Sequence, residues 1–148
     1  MENKNKMSSK FNQVFVDSAA WIALINTTDD LHEQAQEVMA RLRQNKTFLV
    51  TTEFILLEVA DALSSINIRQ KTYATLKAIR QSQAIKVIPV NQSLFDAGLA
   101  IYNQHSDKDW GLTDCISFAV MQQEKITTAF TSDRHFIQAG FIRLMQPN

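Results

Sequence analysis

Three carboxylates stand where an apolar run ends or a helix begins, and a fourth lies at the edge of an apolar helical stripe. Asp17 follows Val14-Phe15-Val16, Glu58 lies on the margin of an apolar helical stripe, Asp114 opens the run Cys115 to Met121, and Asp133 follows Ile126 to Thr131 after a single serine, Ser132. An acid at the carboxyl end of a strand in an open α/β sheet lies on the edge where ligands bind, because loops and helix N-termini converge there. Each acid alone also has a plainer reading. Asp17 or Ser18 can cap the helix that follows, Glu58 can sit hydrated at its helix edge, and Asp114 can complement a helix dipole. Brought together, the four would repel and raise one another's pKa, and a cation resolves that repulsion. With no converging Cys or His set read from the sequence, an oxygen-only donor set points to hard Mg²⁺ or Mn²⁺ rather than zinc. Such an ion shares its shell with phosphate oxygens and lowers the pKa of an attacking water, so the chemistry suggested is phosphodiester hydrolysis.

The elements that must position these acids follow from the apolar pattern. Val14 to Val16 reads as a buried strand, and Ala19 to Ile25 as the helix after it. Leu31 to Arg43 is a second helix with Leu31, Ala35, Val38 and Leu42 on one face; His32, among polar neighbours, reads as solvated. Phe48 to Thr51 is a strand, and Thr52 caps a helix expected to run from Glu53 to Ile66 with Ile55, Leu56, Val59, Ala60, Ala62, Leu63 and Ile66 inward. Phe54 and Leu57 fall on its polar flank, which suggests that a partner or another helix covers them. A connection over 64–70, a helix over 72–83, a strand Ile85 to Val90 and a helix Leu94 to Gln104 follow. A polar loop carrying Trp110 leads to Thr113, a natural N-cap, and then to an inner helix apolar nearly all round. Ile126 to Thr131 and Phe141 to Met145 complete the strands, with a short turn closed by Gly140 between them. The alternation predicts a mainly parallel sheet covered on both faces, which puts Asp17, Asp114 and Asp133 on one edge.

Composition sets the outer bounds. The chain has 148 residues, 45% of them hydrophobic, which fits one domain with a sizeable core. Lys plus Arg equals Asp plus Glu at 15 each, so no overall basic field serves a polyanion and any nucleic acid would be gripped locally. The single cysteine excludes an intramolecular disulfide and agrees with a reducing compartment, hence a cytoplasmic setting. No apolar run is long enough for a membrane span, so no membrane partner is expected. Residues 1–12 read as a flexible polar tail and 13–148 as the domain. There is no Gly-rich phosphate loop, and Asp17-Ser18-Ala19 lacks the second carboxylate of a tight Asp-x-Asp phosphatase pair.

Val16-Asp17-Ser18, Leu56-Leu57-Glu58-Val59, Leu112-Thr113-Asp114 through Ala119, and Thr131-Ser132-Asp133-Arg134-His135-Phe136 resemble, in order and rough spacing, the four acidic motifs of the PIN-domain nucleases. The resemblance implies a three-layer α/β/α sandwich and a metal-dependent endoribonuclease acting on single-stranded or loop RNA. In bacteria such domains are most often VapC-type toxins, held by a cognate antitoxin and often homodimeric. It implies Asp17, Glu58, Asp114 and Asp133 as the catalytic, metal-binding acids, with Asp17 and Asp114 as direct ligands and Glu58 and Asp133 acting partly through water. Ser132 would orient a water or a carboxylate and, with Ser18, would face the substrate; Arg134, read from the residues alone, is a substrate-phosphate contact or a plain solvated cation. Lys108, Arg69, Lys71 and His135 are further phosphate contacts or plain surface and structural residues, and Trp110 either stacks on a base or packs on its own loop. The other class of reading is a non-catalytic module whose acids hold a structural cation or a basic peptide.

Overall fold

The computed structural model describes residues 12–147. Strand β1 (Gln13–Val16) is followed by α1 (Ser18–Ile25), α2 (His32–Gln44), β2 (Phe48–Thr52), α3 (Glu53–Ala62) and α4 (Ile66–Gln81). The second half holds β3 (Ile85–Ile88), α5 (Gln92–Gln104), α6 (Leu112–Glu124), β4 (Thr128–Phe130), α7 (Arg134–Gln138) and β5 (Ile142–Arg143). The five strands form one parallel sheet in the order β3-β2-β1-β4-β5. Short parallel strands must be linked by crossovers, and the preferred right-handed crossover fixes which face each helix takes. Steps from β1 to β2 to β3 run one way and put α1 to α4 on one face. The return to β4 and β5 reverses direction and puts α5 to α7 on the other, giving three layers. The helix contacts agree: α1 packs on α2, α3 and α4, while α6 packs on α5 and α7.

β1 is central, so it is buried on both faces and must be apolar throughout its core length; Phe15 and Val16 have no exposed surface, nor do Val50 and Phe130 on its neighbours. On the second face a chain of aromatic rings fills the layer. Phe15 stacks on Phe136, and Phe118 meets Phe136 and Trp110 edge to face at 5.0 and 5.1 Å between centroids.

The helix expected over 53–66 is two helices. It stops at Ala62, Leu63 turns into the core, and α4 starts at Ile66, six residues before the expected Thr72. Thr72 stabilises the break, since its hydroxyl donates to the carbonyl of Leu63 at 3.1 Å. Ile66, assigned inward by periodicity, is 93% exposed because the break resets the helical phase. The cap of α6 is Gly111 rather than Thr113, which leaves Asp114 still in the first turn. His32 is not simply solvated: its Nδ1 lies 2.7 Å from the carbonyl oxygen of Ala23 and ties α2 to α1. The expected tail falls outside the described residues apart from Asn12, whose carbonyl accepts from the Phe48 amide at 2.8 Å.

Helices α5 and α6 meet closely at Gly98, a buried position. A Cβ there would stand 2.3 Å from Cγ1 of Ile116 and 3.2 Å from its backbone N and Cα, so the helices must separate to admit it. That overpacking outweighs the gain of about 1 kcal/mol in helix propensity. Gly98→Ala is therefore expected to lower stability by about 1–2 kcal/mol, read from the urea midpoint. An unchanged or raised midpoint would contradict the close approach.

Candidate metal centre and nuclease site

β1 and β4 are adjacent although the chain leaves the sheet on opposite faces after them, so the gap between their carboxyl ends is the topological switch point. Val16 pairs with Phe130, and the next residues on the two strands are Asp17 and Thr131. Asp17 stays extended, at φ −85° and ψ 164°, and its amide donates to the Phe130 carbonyl at 3.1 Å. Its side chain takes no part in capping α1, and so points elsewhere.

Asp17 is 4% exposed. Its Oδ2 accepts a hydrogen bond of 2.7 Å from the hydroxyl of Thr131, whose Oγ1 in turn accepts from the Asp133 amide at 3.1 Å. One threonine thus joins the ends of the first and third acidic segments of the edge. Burial pushes the Asp17 pKa up from 3.8 to about 7; the Thr131 hydrogen bond opposes this, and the charges of Asp114 and Glu58 add to it. A carboxyl this buried and flanked by two further carboxylates bears its charge at a cost that a nearby cation would offset.

Asp114, half-buried in the first turn of α6, is also raised, by burial first and by the neighbouring Asp133 among lesser causes, against the hydrogen bond from His135. His135 Nδ1 lies 3.0 Å from Asp114 Oδ2 and 3.5 Å from Asp133 Oδ1. Asp133 caps α7, its Oδ1 accepting from the His135 amide at 2.9 Å. Among the described residues, Asp114, Asp133 and His135 offer ligand atoms within 4.8 Å of one another. Glu58 joins from the other face: it is exposed on α3, and its Oε1 accepts from the Ser18 hydroxyl at the start of α1. The four acids therefore form one connected group, linked by charge and by Thr131, Ser18 and His135. Asp17 and Glu58 stand outside the set of mutually close ligand atoms formed by Asp114, Asp133 and His135; the two carboxylates and one imidazole within it fit a divalent cation of the Mg²⁺ or Mn²⁺ type.

Some expected residues take other places. The hydroxyl that bridges two acids belongs to Thr131 and not to Ser132, whose carbonyl accepts from Arg143 at 3.1 Å. Ser18 faces Glu58. Arg134 is exposed directly after Asp133. Trp110 does not offer a face for stacking: it is buried against Phe118 and His105, and its indole N–H donates to Gln138 at 2.9 Å. Lys108 pairs with Asp107 at 3.1 Å and Arg69 donates to the Ser64 carbonyl at 2.9 Å, while Lys71 is exposed on α4. Thr131 and His135 are the residues that sequence reasoning undervalued, and both flank Asp133.

A parallel α/β/α sandwich with a four-acid group at its switch point defines a class, and the chain belongs to the PIN domain family, which it matches over residues 14–142. It is similar to the 23S rRNA-specific endonuclease VapC20 of Mycobacterium tuberculosis, with 29% identity over 131 residues, covering 88% of this chain and 97% of that protein. The crystal structure of VapC20, described as a Sarcin-Ricin loop cleaving toxin, matches with a TM-score of 0.80 and 28% identity over 90% of this chain and 99% of that one. FitAcB from Neisseria gonorrhoeae shares the fold, with a TM-score of 0.62 and 13% identity over 88% of this chain and 95% of that one.

Proposed function

We propose that the protein is a divalent-metal-dependent endoribonuclease that hydrolyses RNA phosphodiester bonds, and that it is the toxin of a toxin–antitoxin pair. The observation that carries this reading is the buried Asp17 carboxyl, raised by burial and by the charges of Asp114 and Glu58, a setting in which a bound cation favours its ionisation. Asp17, Glu58, Asp114 and Asp133 would hold Mg²⁺ or Mn²⁺. When bound, such an ion acidifies a water and steadies the charge on phosphate oxygens.

The chain's own groups set up the rest. Thr131 fixes the Asp17 carboxylate and Ser18 fixes that of Glu58, so neither acid needs to reorganise when substrate arrives. The N-termini of α1 and α6 open on this edge and favour an anion. Arg134, exposed after Asp133, supplies a cation for a flanking phosphate. In a chain with zero formal net charge this local grip replaces a general basic surface.

The VapC20 relationship supports a cognate antitoxin, and the same reading takes the protein to be a homodimer in a bacterial cytoplasm. Among the described residues no helix is long and apolar enough to cross a membrane. Leu57, 61% exposed on α3 beside Glu58, remains uncovered, whereas Phe54 is met by Phe95 of α5 at 6.3 Å between rings.

Purified protein is expected to cut RNA at discrete positions with Mn²⁺ or Mg²⁺ and not with EDTA, the ribosomal loop named for VapC20 being the first substrate to try, followed by tRNA and mRNA fragments. If the protein binds the metal yet cuts none of these, the non-catalytic module holding a cation or a basic peptide replaces the nuclease reading.

A further inference from the structure

We infer that His135 is a nitrogen donor to the same cation as Asp114 and Asp133, and that the centre consequently selects Mn²⁺ over Mg²⁺. This rests on the metal-dependent reading above and adds to it a residue and an ion preference that an oxygen-only donor set would not give.

The argument begins with spacing. Two donor atoms at right angles on an ion with bonds of about 2.1 Å stand about 3 Å apart. His135 Nδ1 lies 3.0 Å from Asp114 Oδ2 and 3.5 Å from Asp133 Oδ1, so the ring nitrogen stands at nearly the edge length of one coordination shell from each carboxylate, and all three ligand atoms lie within 4.8 Å of one another. The backbone places the ring there by a local device. Asp133 accepts from the amide of His135, an Asx turn that starts α7 and carries the imidazole back over the carboxylates. Phe136, the next residue, is fully buried against Phe15 and Phe118, which anchors the turn from behind. The ring itself is part-buried, with a 19% exposed side chain matching that of Asp114, so it is neither a surface group nor a core filler.

Chemistry then sets the preference. Mg²⁺ takes oxygen donors and keeps its waters, whereas imidazole suits first-row transition ions and raises their affinity relative to Mg²⁺. With Nδ1 as the donor, the proton of the neutral ring resides on Nε2, which is left to bond water or a phosphate oxygen. The alternative role, a ring that merely hydrogen-bonds Asp114, would support either ion equally.

The test uses the full chain with Mn²⁺ or Mg²⁺ as the only added ligand. Pulsed EPR of the Mn²⁺-loaded wild type is expected to show the nitrogen modulation of a directly bound imidazole, absent in His135→Asn and His135→Ala. By calorimetry both variants are expected to weaken Mn²⁺ by about tenfold or more and to leave Mg²⁺ affinity within about twofold. His135→Asn keeps a polar group beside Asp114, so a loss shared by both variants is not a loss of that hydrogen bond alone. Absence of nitrogen modulation in wild type overturns the inference, as does an equal weakening of both ions, which would make His135 a positioning residue only. The wild-type spectrum decides even if a variant fails to fold. A wild type that binds neither ion at millimolar concentration would instead remove the metal-dependent reading itself.

Discussion

Asp17→Asn is expected to lose RNA cleavage by on the order of a thousandfold while melting at a higher temperature than wild type in EDTA at about pH 8. The two effects have one cause. Asp17 is almost fully buried, with Thr131 as its hydrogen-bond donor and Asp114 and Glu58 as like-charged neighbours. Without a cation its negative charge opposes folding, and on the proposed reading it is one of the acids that draw the metal. Asparagine keeps the shape and still offers Thr131 an acceptor, but it removes the charge that draws the metal. Cleavage of a labelled RNA and thermal melts with and without Mn²⁺ check the pair of outcomes, and the variant is expected to show little of the Mn²⁺-induced rise in melting temperature seen in wild type. A variant that cuts normally, or one less stable than wild type in EDTA, would count against the centre as described.

The metal-free protein is also expected to become less stable as pH rises from about 4 to about 7. The sign follows from the direction of the shift. Asp17 is raised from 3.8 to about 7 in the fold, chiefly by burial, so between those values the native state holds a proton that the unfolded chain has released. Its favourable contribution is complete below the lower value and gone above the upper one, a change of up to about 4 kcal/mol. Asp114 is raised as well and acts in the same direction. Denaturant midpoints in EDTA across this window are expected to fall, and Mn²⁺ is expected to restore them most at the alkaline end, where the carboxylates are free to bind it. Asp17→Asn should flatten most of the slope. A flat profile in wild type would show that Asp17 is not buried as the structure has it.

Much of this was legible in the chain because the informative features are local. An apolar run that stops at an acid identifies β1 with Asp17 and β4 with Asp133, and the all-round apolar run after Asp114 identifies a buried helix. Parallel pairing followed from helices between strands, and it brought the acids to one edge. What could not be read depends on contacts between distant residues. Thr131 is one hydroxyl among several near Asp133 until β4 lies beside β1; its bond to Asp17 spans 114 residues. By sequence His135 is a lone ring, because its distance to Asp114 is set by the packing of α7 on α6. Trp110 sits in a polar loop by sequence, yet the aromatic layer draws it inward. At Ile66 the error was one of phase: periodicity assumes an unbroken helix, and the turn at Leu63 removed that assumption.

The order of strands has a bearing on when the molecule can act. β1 pairs on one side with a strand more than a hundred residues further along the chain, since Phe15 pairs with Ala129. Until that neighbour docks, Asp17 lacks the Thr131 hydroxyl that orients it. Assembly of the acidic group therefore depends on a contact of high sequence separation and is expected to come late in folding.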